Sequence, residues 1–188
     1  MPADRRPPLR VLFLCTGNSC RSQMAEGWAR ALRGDRVEPF SAGLVARGLD
    51  PRAVRAMAEA GVDLSGQRSK TLDELLAERS PAGGEAGDAT GDADPASAPF
   101  DAVVTVCAHA HETCPVFPGG APVVHVGFDD PPALAADAAT EDEAMTHYRR
   151  VRDEIRTFVE RLPEALYPKL DSTLHDPRPE RPLEGDER

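Results

Sequence analysis

Residues Val11-Leu12-Phe13-Leu14 run directly into Cys15-Thr16-Gly17-Asn18-Ser19-Cys20-Arg21-Ser22, and this junction limits the possible folds of the chain more tightly than any other feature. A short apolar run followed by a polar Gly17-Asn18 turn reads as a buried strand that stops at Leu14. From Ser19 to Leu32 the apolar positions recur at helical spacing, with Met24, Trp28 and Leu32 on one face. A strand, a loop and a helix in that order turn the loop's backbone N–H groups and the positive end of the helix toward one point, which suits a tetrahedral oxyanion. Arg21, with five residues between it and Cys15, adds a planar fork for two anion oxygens. The same positive field favours a thiolate at Cys15. The chemistry implied is attack by sulfur on a phosphate-like centre, with Thr16, Gly17, Asn18, Ser19, Cys20 and Arg21 around the anion. Asn18 is the residue expected to turn left-handed so that the amides face inward. Ser22 is placed to donate its hydroxyl to the Cys15 sulfur, although a plain serine in a first helical turn also accounts for it.

Beyond this junction, strands and helices alternate. Val37–Phe40 reads as a second strand, and Pro39 within it argues for a sheet edge. Asp50-Pro51 caps a helix that runs to Ala60 and ends at Gly61. Thr71-Leu72-Asp73-Glu74 is a capping box opening a short helix to about Arg79, and Thr140-Glu141-Asp142-Glu143 opens a longer one that stops by Pro163. Ala102–Val106 and Val123–Val126 lack strict alternation, as strands buried on both faces do. The pattern predicts a single α/β domain with a parallel, flavodoxin-like sheet of about four strands flanked by helices. Cys15 and Cys107 then share the C-terminal edge of that sheet.

Composition sets the remaining bounds. The formal charge of −10 sits mostly in two segments: residues 80–99 hold four acids and no Lys or Arg, and residues 171–188 hold six acids against three arginines. Both are poor in core-forming residues, so the expectation is a disordered acidic loop inserted at 80–99 and a disordered tail over 168–188. The folded domain is then expected over residues 9–167, behind an N-terminal extension of residues 1–8. No basic stripe points to nucleic acid. No run approaches the roughly 20 apolar residues that span a bilayer. Reduced thiols without a disulfide framework suit the cytoplasm, where a monomer is expected.

Cys107-Ala108-His109-Ala110-His111-Glu112-Thr113-Cys114 supports three readings. The two cysteines can be incidental. With the two histidines they supply the ligand types of a zinc site, although the spacing fits no known knuckle. Or they form a redox pair: a helical 107–114 would hold the sulfurs roughly 10 Å apart. A disulfide requires Cα atoms within about 7 Å, so its formation would unwind the segment and expose the bond.

The run from Cys15 to Trp28, together with Ser41-Ala42-Gly43, Val103–Cys107 with Cys114-Pro115, and Gly127-Phe128-Asp129-Asp130-Pro131, resembles the low-molecular-weight tyrosine phosphatase superfamily, and within it the thioredoxin-coupled arsenate reductases. The resemblance implies that Cys15 attacks arsenate and that Asp130, or its neighbour Asp129, protonates the departing oxygen. It further implies that Cys107 attacks the Cys15 sulfur, that Cys114 resolves the resulting disulfide, and that thioredoxin is the electron donor, with no tightly bound cofactor. Cys20 is implied to be structural rather than redox-active. Phosphotyrosine enzymes of the superfamily carry an aromatic residue after the Asp-Pro step, where this chain has Pro132. Relatives often bind potassium through positions matching Asn18, Glu26 and Ser41 and an aspartate. That aspartate matches Lys70 here, whose ammonium would take the cation's place, unless Lys70 is simply an exposed lysine at a helix start. A phosphatase, and a thiol protein that binds arsenite or metal without turnover, are the rival readings.

Overall fold

The computed structural model of the chain describes residues 7–79, 99–113, 117, 120–168 and 170. The insertion expected at 80–99 (apart from Pro99), Cys114 and nearly all of the expected tail lie outside these residues.

Leu9–Cys15 forms β1, and α1 (Arg21–Arg33) returns the chain to β2 (Val37–Gly43). Then come α2 (Pro51–Glu59), α3 (Leu72–Arg79), β3 (Ala102–Thr105), α4 (Ala108–Thr113), β4 (Val123–His125), α5 (Pro131–Leu134) and α6 (Glu141–Val159). All strand pairs are parallel and the sheet order is β2-β1-β3-β4, the flavodoxin-like order that the alternation implied. β1 is central because Val11, Leu12, Phe13 and Leu14 are all fully buried, and only a strand covered on both faces can hide four consecutive apolar side chains. Pro39 lies on β2 at the sheet edge, in register with Val11.

Local chemistry sets the helix ends. Asp50 accepts from the N–H groups of Arg52 (2.8 Å) and Ala53 (3.1 Å), and Gly61 takes the positive φ that lets the chain leave α2. Thr71 and Glu74 form the expected reciprocal box, at 2.7 and 3.2 Å. Thr140 caps α6 through the Glu143 N–H, but the Glu143 carboxylate turns to the Ala139 N–H instead of closing the box on Thr140.

Several boundaries differ from the sequence reading, each for a tertiary reason. α1 begins at Arg21 rather than Ser19, because the Ser19 carbonyl is taken by the Asp50 N–H at 3.0 Å and its residue belongs to the loop. β2 runs on to Gly43, matching β1 rung for rung to Cys15. β4 is half-buried at the open edge rather than covered on both faces. Asp130 stands at the start of a short helix, α5, that hydrophobic periodicity had not revealed. α1 is buried on all sides from Ser22 to Ala29, wider than its Met24–Trp28–Leu32 face, since it lies between the sheet and α6. The chain also stays on the core beyond residue 167: Leu170 packs there, its N–H bonded to the Leu166 carbonyl at 3.1 Å. Among the described residues no helix is long and apolar enough to cross a membrane.

The end of β2 tolerates no side chain. A Cβ on Gly43 would stand 2.5 Å from the Val45 carbonyl oxygen and 2.7 Å from the Asn18 nitrogen, both backbone atoms. Gly43→Ala is therefore expected to cost about 2 kcal/mol or more of stability in urea titration, as overpacking against backbone does. An unchanged midpoint would mean that the two segments are not held in this close approach.

Candidate active site

The loop from Cys15 to Cys20 is shaped by what its carbonyls bind. Cys15, Thr16, Gly17 and Ser19 give their carbonyls to the N–H groups of Leu44 (3.2 Å), Val45 (3.0 Å), Arg47 (3.1 Å) and Asp50 (3.0 Å). The Asn18 carbonyl accepts from Gln23 Nε2 at 3.1 Å, and that of Cys20 from the Met24 N–H at 2.9 Å. A peptide N–H points opposite to its C=O, so a loop whose carbonyls are all engaged on the outer side turns its amides inward. Asn18 has φ +44°, the left-handed residue that the inward turn requires.

Cys15 Sγ receives the Asn18 N–H at 3.2 Å and lies 2.9 Å from Ser22 Oγ. The direction of the second bond follows from its neighbours. Asn18 Oδ1 accepts from the Lys70 backbone N–H (2.8 Å) and from Gln23 Nε2 (2.9 Å), so its amide nitrogen is the end that donates to Ser22 Oγ and Ser41 Oγ, each at 2.9 Å. Ser41 donates in turn to Glu26 Oε2 at 2.5 Å. Ser22, having accepted from Asn18, donates its proton to Cys15 Sγ. The buried Glu26 side chain thus fixes the polarity of a hydrogen-bond chain that ends at Cys15 Sγ.

The same residues close a ring. Arg30 binds Glu26 Oε1 (2.5 Å) and Gln67 Oε1 (3.2 Å), Gln67 Nε2 donates to Gln23 Oε1 (2.6 Å), and Gln23 returns to Asn18. Lys70 is at this ring and not on the surface: its side chain is 11% exposed, with Nζ 4.0 Å from Glu26 Oε2 and 3.4 Å from the Arg68 carbonyl. Burial lowers the Lys70 pKa from the ordinary lysine value, and Glu26 opposes that shift. Asn18, Glu26, Ser41 and Lys70 are therefore brought together as expected, and the exposed-lysine alternative is overturned. Gln23 and Gln67 were not foreseen. They are 44 residues apart, and a single sequence carries no signal that pairs them.

Above the loop is a cavity of about 210 Å³, lined by Cys15, Thr16, Gly17, Ser19, Cys20 and Arg21, with Arg47, Asp130 and Pro132 at its sides. Arg21 pairs with Asp130 Oδ1 at 3.0 Å and donates to the Phe128 carbonyl at 3.0 Å, which brings the candidate acid over the pocket. Asp129 points elsewhere, to Arg150 at 2.8 Å. Burial pushes the Cys20 thiol well up, with Asp50 adding to the shift, so this sulfur remains protonated and poorly nucleophilic. Cys107 lies two residues past the end of β3. It is buried, and its sulfur is 3.4 Å from Oγ1 of Thr16, the loop residue next to Cys15. Cys15, Cys20 and Cys107 are all free thiols. No cluster of three or more metal-ligating side chains exists among the described residues, which exclude Cys114 and the His111 side chain.

Residues 10–80 match the family of low molecular weight phosphotyrosine protein phosphatases. A protein named arsenate reductase from Halalkalibacterium halodurans is 44% identical over 154 residues, covering 80% of this chain and 94% of that one. Its namesake from Bacillus subtilis is 43% identical over 145 residues, covering 77% and 88%. Among solved structures, an arsenate reductase in a phosphate binding state superposes with a TM-score of 0.55 at 28% identity, over 82% of this chain and 95% of that one. A low molecular weight protein tyrosine phosphatase from T. tengcongensis gives a TM-score of 0.58 at 24% identity, over 84% and 99%, a likeness of fold alone.

The hydrogen-bond chain onto Cys15 has a measurable consequence. Ser22→Ala removes one charge-assisted donor from the thiolate, so alkylation of Cys15 by iodoacetamide at neutral pH is expected to slow about tenfold. An unchanged rate would show that Ser22 is a first-turn serine and nothing more.

Proposed function

The chain belongs to the arsenate reductases of the low molecular weight phosphotyrosine protein phosphatase family, and from that premise we propose that it reduces arsenate to arsenite through a covalent Cys15 adduct and a thiol relay. Arsenate enters the loop and is held by the inward amides and Arg21. The Cys15 thiolate attacks arsenic. Asp130 gives its proton to the departing oxygen, which leaves as water. Cys107 then attacks the Cys15 sulfur: the S–S bond forms, the S–As bond breaks, and the electron pair of that bond remains on arsenic as arsenite. Cys114 attacks the Cys107 sulfur and frees Cys15, and thioredoxin reduces the Cys107–Cys114 disulfide.

The observation that carries this reading is the second thiol, Cys107, 3.4 Å from the side chain of Thr16 within the anion loop. Hydrolysis of a phosphate ester has no use for it. The phosphatase reading is favoured by the cradle itself, which suits phosphate as well as arsenate. It is opposed by the cavity walls, which among the described residues contain Pro132 and no aromatic ring on which a phosphotyrosine could stack. Tyr148 is buried with its hydroxyl on Asp50 at 2.9 Å, and Trp28 is buried against α6 with its indole N–H on the Arg152 carbonyl at 3.2 Å. A thiol protein that only sequesters arsenite leaves the oriented Arg21 and Asp130 without a task.

The test is NADPH consumption with arsenate, thioredoxin and thioredoxin reductase, beside hydrolysis of an aryl phosphate. Arsenate-dependent consumption is expected; its absence with brisk aryl phosphate hydrolysis would make the protein a phosphatase. Cys107→Ser is expected to stop at the Cys15 adduct and Cys114→Ser after about one turnover. Sustained turnover by either variant would break the relay.

Lys70 supports a further expectation. With its ammonium beside Glu26, turnover is expected to be the same in potassium and sodium salts at constant ionic strength. A large stimulation by potassium would refute the substitution of a lysine for the ion.

A further inference from the structure

Two arginines line the cavity above Cys15, and they differ in what they hold. Arg21 is committed, with one nitrogen on Asp130 and another on the Phe128 carbonyl. The Arg47 side chain is exposed and makes no ion pair or hydrogen bond among the described residues. Its backbone is nevertheless fixed: the N–H lies 3.1 Å from the Gly17 carbonyl and 3.1 Å from Ser69 Oγ. Its stem is also guided. A Cβ added to Gly17 would meet Arg47 Cδ at 3.0 Å and Cγ at 3.4 Å, so the absence of a side chain at Gly17 leaves the space the stem occupies. The stem thus runs along Gly17, and Arg47 stands at the wall of the cavity above the loop.

We propose that Arg47 captures the incoming tetrahedral oxyanion and binds its outward oxygens while Arg21 is still held by Asp130. An anion seated on the inward amides presents its remaining oxygens to the mouth, where Arg47 is a cation whose side chain has no ion pair or hydrogen bond among the described residues. Once the anion is in place it competes with Asp130 for Arg21, and the displaced carboxyl group is left above the pocket, where an acid is needed. Arg47 accordingly favours doubly charged oxyanions over neutral molecules of the same size. The inference rests on the reading of residues 15–21 as the oxyanion cradle.

The rival account is a solvated surface arginine that happens to stand near the pocket. A test that does not require turnover separates the two. The reduced, full-length protein is treated with iodoacetamide, which is neutral, or iodoacetate, which is anionic, with and without inorganic phosphate, and modification of Cys15 is read by peptide mass spectrometry. In the unaltered protein phosphate is expected to protect Cys15. In Arg47→Gln the phosphate concentration giving half protection is expected to rise about fivefold, and the preference for iodoacetate over iodoacetamide to fall by a similar factor. Arg47→Lys, which keeps the charge and loses the fork, is expected to recover part of both effects. Wild-type protection and reagent preference in Arg47→Gln would overturn the proposal, as would an equal slowing of both reagents, which marks a structural defect. Failure of phosphate to protect Cys15 in the unaltered protein is a separate outcome, and it would bring down the cradle reading itself.

Discussion

Everything at this site depends on where the carbonyls of residues 15–20 find their donors. Four of them are bound by consecutive stretches of the segment after β2, the fifth by Gln23, and the sixth by the first turn of α1. A buried carbonyl without a donor costs on the order of 1–3 kcal/mol, so six engaged carbonyls constitute a strong restraint on how the loop can face. The amides have no choice but to line the concave side. The concave face of the loop is therefore a by-product of satisfying its outer side, and the segment from Leu44 to Asp50 is as much a part of it as Cys15 is. Gly43 matters for the same reason, since it is where that segment comes within contact distance of the Asn18 backbone.

A second layer orients the protons. Asn18 cannot be flipped, because one end faces two donors and the other two acceptors, and Glu26 sets the sense of the chain through Ser41. Lys70 and Arg30 stand against the buried Glu26 side chain, in a place where an unpaired charge would be costly. The cost is shared by the ammonium, whose own proton is held less firmly than in water. A polarised network thus lies beneath the loop, with Asp130 beside the cavity above it and Cys107 against Thr16 at the same sheet edge.

What the sequence disclosed follows the range of the interactions. The strand–loop–helix junction, the caps at Asp50, Thr71 and Thr140, and the edge position of β2 are written in contiguous residues or in a single proline, and they were legible. The left-handed Asn18 and the Ser22–Cys15 bond were legible too, because both lie within seven residues of Cys15. The Gln23–Gln67 pair was not, nor was the approach of Arg47 to Gly17, because each depends on the register between segments distant in the chain. The extension of β2 to Gly43 belongs to the same class: only pairing with β1 carries the strand past Phe40. Burial of Lys70 runs against the usual fate of lysine, and only the carboxylate and carbonyl around its ammonium explain it.

Pro39 has a consequence outside the pocket. The ladder between β2 and β1 continues through it, so its missing N–H falls on the open side of the strand. A strand from another molecule that tried to extend the sheet there would meet a gap in the donor row at the middle of β2. The outer edge of the sheet is thereby made a poor template for self-association, a safeguard against aggregation at a strand that runs beside the loop of Cys15.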